Sequence, residues 1–446
     1  MEHTIRSTQE RLARGETSSR TLTDEALERI FDPAGEGKWT FTKVYAKEAR
    51  KTAADADKIR ASRRPRSTIA GLPISIKDLF DVEGEVTRAG STVLADRGPA
   101  RDDAEVVTRL KRAGAVIVGR TNMSEFAFTG VGINPHYGTP ANPYDRPRRR
   151  IPGGSSSGAP ISVADGMAMA AIGTDTGGSV RIPAALCGLA GFKPTQRRIP
   201  RAGVFPLSPT LDSVGVIARS VSCCVEVDAV LSGERWRKLR VELKSKTLAV
   251  PKNYFLDDLD KQVANAFHSA ISKLSAAGAR IIEVLLPEME QIAEVNSRGG
   301  ISAPEAYAYH RRLRADFNGY DRLVRERILR GKDISAAEYL DMLHTREALI
   351  ENFNCNHQKW DALLCPTVPI LAPEIAPLEK DPDRYRRTNR LLLRNPSVVN
   401  FLDGCGLTIP CHEPGQAPAG LMLIGRTLED RMLLSLGIGI ETIVKQ

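Results

Sequence analysis

Gly153-Gly154-Ser155-Ser156-Ser157-Gly158 and Gly173-Thr174-Asp175-Thr176-Gly177-Gly178-Ser179 bracket an apolar run, Met167-Ala168-Met169-Ala170-Ala171-Ile172. The run is short, continuous and closed by glycine, and it reads as a buried strand with a helical segment as the alternative. Glycines let the backbone turn sharply and pass close to a ligand. Successive N–H groups in such a turn form a nest that holds negative charge. A serine at its mouth reads as a nucleophile, with the nest holding the oxyanion its attack creates. A phosphate cradle, or a plain pair of loops, fits the same pattern.

A nucleophilic serine needs a base. None of the seven histidines (His3, His136, His268, His310, His344, His357 and His412) lies in a loop of triad type, and His136 reads as structural. Lysine serves if burial lowers its pKa. Upstream stands Gly71-Leu72-Pro73-Ile74-Ser75-Ile76-Lys77-Asp78. Leu72, Ile74 and Ile76 alternate as in a half-buried strand, which puts Ser75 and Lys77 on the opposite face. Taken alone, such a lysine is more often an ordinary ion-pair partner.

Together these stretches resemble the amidase signature family of serine hydrolases. The resemblance is carried by the strand with Lys77, by the Gly153–Ser156 loop, and by Gly173 through Ser179-Val180-Arg181-Ile182-Pro183-Ala184-Ala185. It runs on into Cys187-Gly188-Leu189-Ala190-Gly191-Phe192-Lys193-Pro194-Thr195, and covers the chain from about residue 60 onward. It implies Ser179 as nucleophile, Ser155 in a cis peptide as proton relay, and Lys77 as general base. Ser155 and Ser179 stand 24 positions apart, the family's separation. It further implies that backbone amides of Thr176, Gly177, Gly178 and Ser179 hold the oxyanion, and that Ala127, within Thr121–Gly130, borders the acyl pocket. Asp175, Arg181 and Ser156 are expected to support these groups, with Asp175 and Arg181 paired across the turn. The sequence departs from the family at Ser157, which replaces a glycine, and at Ala159-Pro160; a proline in a first helical turn is tolerated.

The implied fold is one large α/β domain with a mixed, mainly parallel central sheet covered by helices. The chain itself agrees in pattern. Ala104–Gly114 has helical spacing with a glycine stop, and Ala115–Gly119 is β-branched like a buried strand. That helix–glycine–strand order belongs to α/β architecture, whose sites lie at strand C-terminal ends. Residues 1–62 read as helices packing on the core, Arg63–Arg66 as a connector, and 63–446 as the main domain. Within it, about 252–345 is a variable, helix-rich insertion expected to shape specificity. Trp360–Thr367, Asn400–Pro410 and Pro418–Gly425 read as closing strands, with a last helix from Arg426.

Composition narrows the function. The net charge of +9 is spread over Arg146–Arg150, Arg235–Lys246 and Arg384–Arg394 without interleaved aromatics. That reads as a solvated basic surface able to steer an anionic substrate, not as a nucleic-acid site. No apolar run is long enough for a membrane span, and the first residues lack a signal-peptide core. The seven cysteines form no CxxC pattern, which points to reduced thiols in the cytoplasm; Cys187 reads as buried and inert. No metal or other cofactor is expected. The expected partner is a small amide, with a homodimer as the commonest assembly.

Three alternatives remain at this level. Gly154–Gly158 fits the G-x-S-x-G elbow of α/β-hydrolases, with Ser156 as nucleophile and Asp403 and His412 in the right chain order, although Arg148–Pro152 makes a poor preceding strand. The glutamine-hydrolysing component of glutamyl-tRNA(Gln) amidotransferases shares the family's fold and catalytic set, and would need two further subunits. A non-catalytic binding protein on the same scaffold is opposed by the complete Lys77, Ser155 and Ser179 set.

Overall fold

The structure, a computed structural model, describes residues 4–62, 67–236, 239, 241–313 and 316–445. The expected connector Arg63–Arg66 and His3 lie outside these residues. Eleven strands form one sheet: β1 (Phe41–Val44), β2 (Pro73–Lys77), β3 (Val116–Thr121), β4 (Ala170–Asp175), β5 (Ala190–Lys193), β6 (Ser213–Ala218), β7 (Thr247–Pro251), β8 (Arg280–Val284), β9 (Ala362–Pro366), β10 (Cys405–Pro410) and β11 (Gly420–Gly425). Their spatial order is β1-β3-β2-β4-β6-β5-β10-β11-β9-β7-β8. The sheet is mixed. Parallel pairs fall in two blocks, β3-β2-β4 and β9-β7-β8, and antiparallel pairs join them and attach β1.

The apolar run before the second glycine cluster is strand at its end. β4 starts at Ala170 and continues through Gly173 to Asp175, so the strand delivers the second cluster directly. Gly173 is required by proximity: a Cβ there would stand 2.7 Å from Ser156 Oγ. β2 is buried at all five positions, not half-buried. Ile74 and Ile76 enter the main core with Val106, Val107 and Leu110 of the helix Glu105–Arg112. The opposite face is covered too, and Ser75 Oγ lies 2.8 Å from Ser162 Oγ of the helix Gly158–Ala164. Alternation here separates two kinds of buried surface.

Residues 1–62 hold the helices Ile5–Ala13, Ser19–Phe31 and Ala46–Ser62, but β1 lies among them and pairs antiparallel with β3. Leu27, Ile30, Ala49 and Ala53 pack against Val116 and Val118 of β3. The 252–345 stretch is helical over Lys261–Ala276, Glu288–Ser297, Ser302–Leu313 and Arg322–Leu329, and it also supplies edge strand β8. Among the described residues no helix is long and apolar enough to cross a membrane.

Candidate active site

β2 and β4 are parallel neighbours, with Ile76 opposite Ile172. Their C-terminal ends therefore carry Lys77 and Thr174 side by side. Lys77 Nζ lies 2.8 Å from Ser155 Oγ and 2.9 Å from Thr174 Oγ1, and all three side chains are buried. The Gly154–Ser155 peptide bond is cis. The Ser155 carbonyl accepts from the amides of Ser124 and Ser157, and Gly154 N donates to Gly130 O. A Cβ on Gly154 would fall 2.6 Å from Gly132 N, so the loop is held by close backbone contact. Burial dominates the electrostatics of Lys77. Desolvation outweighs the attraction of Asp212 and Asp175 and brings its pKa down to about 7.

Asp175, at the end of β4, organises the turn that follows. Its carboxylate accepts from Gly178 N (2.8 Å), Val180 N (3.1 Å), Arg181 Nε (3.0 Å) and Nη2 (2.8 Å), and Asn400 Nδ2 (3.0 Å). Arg181 Nη2 in turn donates to Asn400 Oδ1 at 2.7 Å. Burial pushes the Asp175 carboxyl up, but the Arg181 charge and these bonds outweigh it and hold the group well below the usual carboxylate range. The pair is fully buried, so removing one partner would strand the other's charge.

The structure refines the expected nest. Gly178 sits at φ +126°, and its N–H is spent on Asp175, which removes it from the amides available to an oxyanion. The amides of Gly177 and Ser179 have no acceptor among the described residues. Thr176 is held through its side chain, whose hydroxyl donates to Asp212 Oδ1 at 2.6 Å. Asp212 also accepts from Leu207 N and Ser208 N, and burial raises its pKa to about 6 despite these bonds.

A cavity of about 620 Å³ opens onto this turn, with Ala127, Phe128, Thr176, Gly177 and Ser179 in its wall. Lys77 and Ser155 lie behind that wall. The Ser179 hydroxyl has no protein hydrogen bond among the described residues, and Ser155 is bonded to Lys77. Thr174, Asp212 and Asn400 were not singled out from sequence. Thr174 stood inside the quoted stretch, but Asp212 and Asn400 had no local signal.

The elbow alternative is not assembled. Ser156 Oγ donates to Thr174 O at 3.4 Å, Asp403 accepts from Gln196 N, and His412 Nδ1 lies 3.4 Å from Ala419 O. No hydrogen bond joins any two of these three side chains, and a loop, not a strand, precedes Ser156. His136 Nε2 lies 2.8 Å from buried Glu125 Oε1, a contact within the fold. The Cys187 thiol reaches Pro152 O at 3.4 Å, and burial drives its pKa well up. Among the described residues no group of three or more His, Cys, Asp or Glu could hold a metal ion.

A buried lysine–serine pair behind a glycine-rich turn, on a mixed sheet covered by helices, defines a hydrolase of the amidase signature class. The sequence model of the Amidase family matches residues 22–434, and the chain belongs to that family, which acts on amide C–N bonds. It is 35% identical over 408 residues to 2-amino-5-chloromuconic acid deaminase of Comamonas testosteroni, covering 89% of this chain and 87% of that protein. It is 33% identical over 470 residues to the GatA-type component of the glutamyl-tRNA(Gln) amidotransferase of Roseiflexus castenholzii, covering 97% and 94%. A crystal structure of an amidase superposes with a TM-score of 0.88 at 32% identity, covering 99% of each chain.

Proposed function

We propose that the chain cleaves a carboxylic amide through an acyl-enzyme on Ser179. Ser179 Oγ attacks the carbonyl carbon, its proton passes to Ser155, and the proton of Ser155 passes to the neutral amine of Lys77. The amides of Gly177 and Ser179 stabilise the oxyanion; one such donor is worth about 3–4 kcal/mol in the transition state. Collapse breaks the C–N bond, and the proton returns through Ser155 to the departing ammonia or amine. Water then adds to the acyl ester by the same route, releasing the carboxylic acid and restoring Ser179. The Lys77–Ser155 contact of 2.8 Å, at a lysine that burial holds near neutrality, is the observation that carries this reading. The bond from Ser179 to Ser155 is the one that closes on substrate binding, as catalytic hydrogen bonds often do.

The test is ammonia release from a panel of primary amides, together with fluorophosphonate labelling located by peptide mass spectrometry. Turnover and a label on Ser179, both lost in Ser179→Ala, support the reading. A label elsewhere, or turnover that survives Ser179→Ala, refutes it. The likeness to the amidotransferase component over 97% of the chain favours one second reading, in which glutamine is the amide and further subunits are required. Glutaminase activity that emerges only with those subunits decides for it. Seven free cysteines, six of them buried, support a reducing, cytoplasmic setting for either.

A further inference from the structure

The cavity that holds Ser179 is lined by six arginines, Arg327, Arg330, Arg386, Arg387, Arg390 and Arg394, against two carboxylates, Asp258 and Glu326. Glu326 is already committed, bonded to Arg386 at 2.7 Å and close to Arg322. Arg394 donates to the carbonyls of Phe255 and Asp257 and to Asn395 Oδ1. Arg330, Arg387 and Arg390 are exposed. Arg327 differs from all of these.

Arg327 projects from the helix Arg322–Leu329, whose N-terminus is capped by Asp321. Its guanidinium carbon stands 4.5 Å above the Phe128 ring, next to Ala127 in the cavity wall. That stacking fixes the plane of the guanidinium. Its Nη1 is buried with no hydrogen-bond partner among the described residues, and no carboxylate among them lies within 4.0 Å. Desolvation pulls its pKa down to about 10, which leaves it cationic at neutral pH. A buried donor without an acceptor costs free energy, and in a binding cavity a ligand acceptor removes that cost.

We infer that the substrate is an amide whose acyl part carries a carboxylate, and that Arg327 receives that carboxylate. The planar fork of a guanidinium matches the two oxygens of a carboxylate. The three exposed arginines raise the local concentration of anions at the cavity mouth. The inference rests on the amidohydrolase reading of the same site and names its substrate class.

The experiment compares three monoamides of dicarboxylic acids, succinamate, glutaramate and adipamate, with butyramide, valeramide and hexanamide, which carry methyl where the acids carry carboxylate. Ammonia release gives kcat/KM, and protection of Ser179 from a fluorophosphonate gives binding, for the wild type, Arg327→Gln and Arg327→Lys. The expected result is at least one acid preferred more than about tenfold over its methyl partner. That preference collapses in Arg327→Gln, chiefly through KM or protection, and is partly kept in Arg327→Lys. Equal handling of the two series by a wild type whose Ser179 labels normally overturns the inference and leaves the hydrolase reading standing. A preference that survives Arg327→Gln overturns the assignment to Arg327. No label on Ser179 and no ammonia from any amide overturns the hydrolase reading itself, and the inference with it.

Discussion

Replacing Lys77 by methionine separates stability from catalysis. The folded chain holds this amine at a pKa of about 7, against 10.5 in water. Each pKa unit corresponds to about 1.4 kcal/mol, so burying the protonated form costs about 5 kcal/mol. Below pH 7 the lysine is protonated in both folded and unfolded chains, and the folded one bears the whole cost. Between pH 7 and 10.5 the folded chain has shed the proton while the unfolded chain keeps it, so stability rises with pH and the cost fades. By linkage the cost is about 5 kcal/mol at pH 6 and about 1 kcal/mol at pH 9.5. Methionine keeps the length, removes the charge, and leaves the Ser155 and Thr174 hydroxyls without their partner, at about 1 kcal/mol each. Lys77→Met is therefore expected to be more stable than the wild type by about 3 kcal/mol at pH 6, to lose that advantage by pH 9.5, and to be inactive. Urea unfolding followed by circular dichroism at the two pH values, with amide hydrolysis in parallel, measures this. A variant no more stable at pH 6, or an advantage independent of pH, refutes the reasoning.

Further outcomes follow from the same contacts. Gly178→Ala adds a Cβ at φ +126°, 2.7 Å from Ile182 Cδ1 and Pro396 Cβ, and is expected to lower the melting temperature and abolish labelling of Ser179. Gly177→Ala, whose Cβ meets nothing closer than 3.5 Å, keeps the fold and the label. Asp212→Asn removes a negative charge that raises the Lys77 pKa, so the acidic limb of the kcat/KM profile moves to lower pH; a move to higher pH contradicts the assignment. His412→Ala leaves hydrolysis unchanged, because His412 bonds only to Ala419 O, whereas a nucleophile at Ser156 served by His412 demands its loss.

Much of the centre was legible because it is local. Lys77 stands at the end of an alternating stretch, and Ser155 and Ser179 stand in glycine clusters whose spacing can be counted along the chain. What failed was whatever depends on who sits opposite whom. Thr174 became a partner of Lys77 only through the parallel pairing of β2 with β4. Asn400 reaches Asp175 and Arg181 across 225 and 219 residues, and no local pattern marks such a contact. Gly178 announces a turn but not the direction of its N–H, which Asp175 determines. The alternation in β2 suggested an exposed face, because serine and lysine look solvated until Ser162 and Ser155 are found to satisfy them. β1 and β8 escaped notice as edge strands set among helices, where neighbouring helical pattern dominates the reading.

The central claim is that an uncharged amine at position 77 draws the proton from the nucleophile. Its most direct measurement needs no knowledge of the substrate: the rate of fluorophosphonate labelling of Ser179 as a function of pH, in the wild type and in Lys77→Met. The account predicts a rate that rises about tenfold per pH unit below pH 7, levels off above it, and is lost in the variant. A rate that is flat from pH 5 to pH 8, or one that persists without Lys77, contradicts it.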